Sequence, residues 1–200
     1  MSHPALTIIR DEHGALSAML RSLSMLLAEY RRQGETPDFG VLRAMLFYVD
    51  EFPEKLHHTK EAQLLFPKVR ARNPQIAATL DRLDREHERG EKAIRDLEHD
   101  LLAFEVLGEP RRAAFEQAVE RYIDFYLTHM SLEENEVLPL AEKTLSAQDW
   151  DELDHAFLAN RDPLTGHEPE EGYRPLFSKI VMATPAPIGL GPALHGAPHD

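Results

Sequence analysis

His57-His-Thr-Lys-Glu61-Ala-Gln-Leu-Leu-Phe-Pro67 returns further along the chain as His129-Met-Ser-Leu-Glu133-Glu-Asn-Glu-Val-Leu-Pro139. In both stretches a carboxylate follows the first histidine by four residues and a proline follows it by ten. Spacing of four puts imidazole and carboxylate on one face of a helix. Lone histidines precede the two stretches by 44 and 42 residues, at His13 and His87. The chain therefore reads as two helical hairpins related by a pseudo-repeat.

Around these stretches the apolar residues step by three and four. Ile9, Leu16, Leu20, Leu23 and Leu27 give a first helix, ended by Gly34, Thr36 and Pro37. A second runs from about Phe39 to Val69, with a kink expected at Pro53, and Asn73-Pro74 closes it. A third carries Ile76, Leu80, Leu83, Ile94, Leu97 and Leu101 to a turn at Gly108 and Pro110. The fourth uses Phe115, Val119, Tyr122, Tyr126, Val137 and Leu140. No stretch of this region alternates with the period of two that marks a strand. The expected fold is all-α, an up-down-up-down four-helix bundle over residues 1–145. Ser146-Ala-Gln-Asp149 reads as an N-cap opening a short helix with Trp150, Leu153, Phe157 and Leu158. Another short helix is expected from Pro175. Residues 146–183 then form a helical extension packed on the bundle, and 184–200, rich in Pro and Gly, a flexible tail.

In each helix polar residues interrupt the apolar seam: His13, then His57 and Glu61, then His87, then His129 and Glu133. Antiparallel neighbours bring together residues equally far from their shared turn. With the first turn at residue 35, His13 lies 22 residues before it and His57 22 after. With the second at 74, Glu61 lies 13 before and His87 13 after. With the third at 108, His87 lies 21 before and His129 21 after. All six polar residues fall in one layer. Each would cost roughly 2–7 kcal/mol if buried without a partner, so a shared partner is implied. A site of approximate two-fold symmetry naturally holds two metals, each with two imidazoles, and the carboxylates are free to bridge.

Composition narrows the chemistry. Two hundred residues, 42% of them hydrophobic, suit one core. A net charge of −13 argues against nucleic acid and anionic membrane as partners. The chain contains no cysteine, so thiolate ligands and disulfides are excluded. Neither a signal region nor a membrane-length apolar run is visible, and a cytoplasmic location is expected. Imidazole with carboxylate and no sulfur suits iron, manganese, zinc or copper. The paired arrangement favours two non-haem irons, with manganese and zinc as alternatives. His58 points about 100° from His57 on a regular helix and reads as a neighbour of the site or a surface residue. Glu91, one turn after His87, is a further ligand or a surface charge. Tyr122 and Tyr126 share the face of His129; Tyr126 is a candidate donor to a bound oxygen species, or a core tyrosine. Trp150 reads as a packing anchor.

At these residues the chain resembles the hemerythrin-like, histidine-histidine-glutamate (HHE) cation-binding family. The matching segments are Arg10-Asp-Glu-His13, His57-His-Thr-Lys-Glu61 running into Leu65-Phe-Pro67, Glu86-His87, and His129 to Pro139. The resemblance implies an up-down four-helix fold and a non-haem di-iron centre. It implies His13, His57, His87 and His129 as terminal ligands, with Glu61 and Glu133 bridging. Oxygen-carrying hemerythrins have a second histidine where this chain has Glu91. They also have an aspartate five residues after the last histidine, where this chain has Glu133 at four and Glu134 at five. Glu133 repeats the spacing of Glu61 and is taken as the ligand, with Glu134 as the fallback. The richer carboxylate content is similar to members linked to peroxide or nitric-oxide handling and to iron–sulfur repair, although the cysteine-bearing segment of the repair proteins is missing. The segment with Trp150 and Asn160-Arg-Asp-Pro163 resembles an extension found in some bacterial members.

The function expected is a di-iron protein that binds, senses or reacts with O2, peroxide or nitric oxide. A di-iron enzyme of peroxide or nitric-oxide detoxification, or of iron–sulfur repair, is one alternative. A metal store or structural zinc protein is another. A small diatomic ligand or peroxide is the expected partner.

Overall fold

In the computed structural model, which describes residues 3–184 and 189–191, every regular element is helical and no strand occurs among the described residues. Proline at the first position starts α1 (Pro4–Gln33). Gly34, at φ 69°, stops it by adopting the left-handed conformation in which its N–H and that of Glu35 return to the last carbonyls. Asp38 caps α2 (Phe39–Val49) by accepting from the Val41 amide at 3.1 Å.

From α2 the chain stays helical to residue 72, but not regularly so. Asp50–His57 is π-helical, α3 (His58–Lys60) is one turn, Glu61–Leu65 is again π-helical, and α4 (Phe66–Arg72) completes the path. Pro53 thus marks a widened stretch through which the helix continues. The same event recurs after α5 (Ala77–Leu107), where α6 (Arg112–Leu132) widens at Glu133–Val137 and resumes as α7 (Leu138–Thr144).

The prolines explain the repeat. Pro67 and Pro139 have no N–H to donate, and each ring crowds the carbonyl four residues back. The helix relieves this by widening just upstream. Phe66 N–H then reaches the Glu61 carbonyl, and Leu138 N–H the Glu133 carbonyl, each five residues back.

The long helices pack together: α5 against α6, α2 against α5, and α1 against both α6 and α2. Asn73 bonds the Val69 carbonyl at 3.2 Å and Thr144 Oγ1 at 2.7 Å, tying together two helix ends. Ser146 and Asp149 form a reciprocal capping box for α8 (Ala147–Phe157). Asp154 of that helix accepts from Ala5 N–H at 2.8 Å, satisfying an orphan donor at the start of α1. α9 (Arg174–Ala183) packs on α2. Of the tail expected at 184–200, Thr184 is buried and Leu190 and Gly191 bond back to Val181 and Thr184; residues 185–188 and 192–200 lie outside the described residues.

The core is divided in two. One apolar cluster runs from Leu16 through Met45, Ile94 and Phe115, and the other joins Leu6, Ile9, Phe66, Leu83, Val137 and Phe157. His13 lies between Ile9 and Leu16, and His87 between Leu83 and Ile94. Glu133 lies between Met130 and Val137. A polar layer therefore crosses the molecule between two apolar blocks.

Candidate metal centre

Two groups of buried side chains make up that layer. His13, His57, Glu61 and Glu133 form one; His58, Glu61, His87 and His129 form the other. Within each group one potential donor atom per residue lies within 4.8 Å of the rest. The six residues expected from the sequence are thus brought together, and Glu61 belongs to both groups.

The donor atoms face one another in pairs. His57 Nε2 stands 3.2 Å from His13 Nε2, and His87 Nε2 stands 3.0 Å from His129 Nε2. Glu61 reaches both pairs, with Oε1 at 2.7 Å from His57 Nε2 and Oε2 at 3.5 Å from His87 Nε2. Glu133 Oε2 lies 3.5 Å from His13 Nε2. Despite the short His57 contact, all four oxygens of Glu61 and Glu133 are buried without a hydrogen bond of proper geometry. Four orphaned carboxylate oxygens in one layer are a large uncompensated cost. Cations would remove it, and the nitrogen-and-oxygen donor set suits iron, manganese or zinc.

Outer carboxylates orient four of the imidazoles. His57 Nδ1 pairs with Glu12 Oε2 at 2.7 Å, and His129 Nδ1 with Glu86 Oε2 at 3.0 Å. His13 Nδ1 pairs with Glu134 at 2.9 Å, and His58 Nδ1 with Glu54 at 3.0 Å. A carboxylate at Nδ1 keeps the proton there and leaves the Nε2 lone pair free for a metal. Glu12 and Glu86 each directly precede the lone histidine of their helix and serve the histidine of the neighbouring one. The repeated Glu-His dipeptide was a signal for this arrangement that spacing arguments do not read.

Four further residues named from the sequence take definite places. His58 is buried and belongs to the second group rather than the surface. His58 lies about 100° round from His57, a direction that here still faces the interior, toward His87 and Tyr126. Its ring stacks on His87 at 4.3 Å. Glu134, the fallback ligand, sits half-exposed on the outer nitrogen of His13. Glu91 is exposed and pairs with Arg95 at 3.5 Å, outside both groups. Tyr126, the candidate oxygen-species donor, gives its hydroxyl to Glu54, to which Tyr122 also donates at 2.8 Å. Glu54 was not anticipated; its signal is the spacing of four to His58.

Charge in the metal-free layer is strongly coupled. Burial and the neighbouring Glu133 push Glu61 up to about 8, against the pull of His57. Burial also works against ionisation of Glu133, but the charge of His13 close beside it outweighs this and holds that carboxyl below its ordinary range. His13 would be lowered by burial, yet Glu133 and Glu134 raise it to about 8. His58 and His87 are held well below the usual imidazole range by burial and by the surrounding histidines. Those two rings are therefore neutral at pH 7, as metal ligation demands.

No curated protein and no solved structure matches the chain. The family model described as the hemerythrin HHE cation-binding domain matches residues 5–141, well over half of the chain and every residue of the two groups. The chain belongs to the hemerythrin HHE cation-binding domain family.

Proposed function

We propose that the layer holds two iron ions inside an up-down-up-down bundle, and that the centre binds and reacts with a small ligand: O2, peroxide or nitric oxide. His13, His57 and Glu133 would hold one ion, and His58, His87 and His129 the other. Glu61 would lie between them. The observation that carries this reading is Glu61 itself, which turns one orphaned oxygen toward each imidazole pair. When bound, the ion pair supplies Lewis acidity and one-electron redox changes.

The chain's own residues set what can take part. Glu12, Glu54 and Glu86 hold their imidazoles with Nδ1 protonated, so no ligand nitrogen is spent on a proton. A cavity of about 10 Å3 beside His13, His57 and His58 is walled by Leu16, Phe52, Pro53 and Leu56. That is room for about one water-sized molecule, which favours a diatomic or peroxide over an organic substrate. His58 and His87 also border a 220 Å3 surface opening with Thr59, Ala62, Gln63 and Glu91, a short path to the layer.

The test is stopped-flow spectroscopy of the ferrous-loaded protein mixed with O2, peroxide or nitric oxide. New near-ultraviolet and visible bands with at least one of the three are expected. A loaded protein whose spectrum none of them changes would leave a metal store as the better reading.

A further inference from the structure

The family domain ends at residue 141, yet a side chain from beyond it reaches the centre. Asn160 follows α8 in the turn before the 3-10 helix Pro163–Thr165, and it is buried. Its amide Nδ2 donates to Glu12 Oε2 at 3.0 Å, the same oxygen that receives His57 Nδ1 at 2.7 Å. The Asn160 backbone N–H bonds to Phe157 O at 2.9 Å, and its Oδ1 accepts from Lys60 Nζ. Lys60 also holds the Ala156 carbonyl at 2.9 Å. Phe157 meets the His57 ring edge-on at 6.2 Å.

Comparison with the other half of the pseudo-repeat shows what Asn160 replaces. Glu86, the partner of His129, is held by Arg82 of its own helix at 2.7 Å. Glu54, the partner of His58, is held by Tyr122 and Tyr126. Among the described residues Glu12 has no donor of that kind within residues 4–144, and its donor besides His57 comes from the extension. Asn160 and Asp162 also line the small cavity beside His13 and His57, and Asp162 is fixed there by the Tyr48 hydroxyl at 2.6 Å.

We propose that the turn carrying Asn160 and Asp162 is a working part of the metal centre, with Asn160 a positioning residue that acts on His57 through Glu12 and so sets how firmly the His13–His57 ion is held. The proposal rests on the metal reading above. Loss of an outer partner of a ligating histidine typically weakens metal binding by about 10- to 100-fold.

Full-length wild type, Asn160→Ala and Asn160→Asp would be loaded with ferrous iron, their metal content counted, and release to a chelator timed. Asp keeps the shape and the acceptor for Lys60 but turns a carboxylate on Glu12 instead of an amide donor. Both variants are expected to release one ion about 10-fold or more faster than wild type, with a shifted absorption spectrum, and Asp should be no better than Ala. If Asn160→Asp behaves as wild type while Asn160→Ala does not, the residue only anchors Lys60 and the proposal is overturned. Wild-type release from both variants overturns it as well. A wild type that takes up no metal would instead overturn the reading beneath it, which the count on wild type reveals separately.

Discussion

Glu61→Gln is expected to abolish metal retention while making the metal-free protein more stable. Glu61 turns an oxygen toward each imidazole pair, so its charge is the one feature both ion positions share. Gln keeps the shape and removes the anion; affinity should fall by at least about 100-fold, more than for an outer partner. Stability moves the other way. The unfolded carboxyl ionises near its model value of 4.5, whereas in the fold it is pushed up to about 8. Between those values the unfolded chain has released the proton and the folded chain retains it, so metal-free stability falls as pH rises through that window. Gln carries no such penalty. Metal-free Glu61→Gln should exceed metal-free wild type by about 3 kcal/mol at pH 7, and the gap should close toward pH 4. Urea titrations at the two pH values read this directly. Equal stability at both, or unchanged metal content, would show that Glu61 does not carry the strain assigned to it.

Gly90→Ala should lower stability, although the same change in an ordinary helix raises it by about 1 kcal/mol. Gly90 lies inside α5 and is buried. A Cβ there would stand 1.7 Å from Tyr126 Oη, 2.7 Å from Cζ and 2.9 Å from Glu54 Oε1. The Tyr126 ring is fully buried and stacks on His58 at 5.5 Å, so it cannot move aside cheaply. Overpacking of this kind costs about 1–3 kcal/mol. Less the propensity gain, a net loss of up to about 2 kcal/mol is expected, or up to roughly 4–8 °C in melting temperature for a chain of this size. Adding Tyr126→Phe removes the closest atom and should restore part of the loss. A stabilised Gly90→Ala would show that the tyrosine pocket is not packed as described.

The helices and the polar layer were legible because both depend on spacing. Apolar steps of three and four located the helical stretches, and equal distances from the turns brought His13, His57, His87 and His129 to one level. The step of about 100° from His57 gives the direction of His58 but not what lies there; packing puts His87 and Tyr126 in that direction and buries the ring. Pro67 and Pro139 are visible as a repeat, but the widening of the turn upstream of each shows only in the helix path. Glu12, Glu86 and Asn160 act across helices, through contacts that only packing creates. Glu134 and Glu91 carry charge at ligand-like spacing, yet helix rotation leaves one on an outer nitrogen and the other against Arg95.

The count of metal ions on wild-type protein, loaded anaerobically with ferrous iron and then oxidised, tests the central claim most directly. Two irons per chain, with charge-transfer bands in the near ultraviolet, are the predicted result. A single zinc that iron does not displace, or no bound metal after loading, would contradict it.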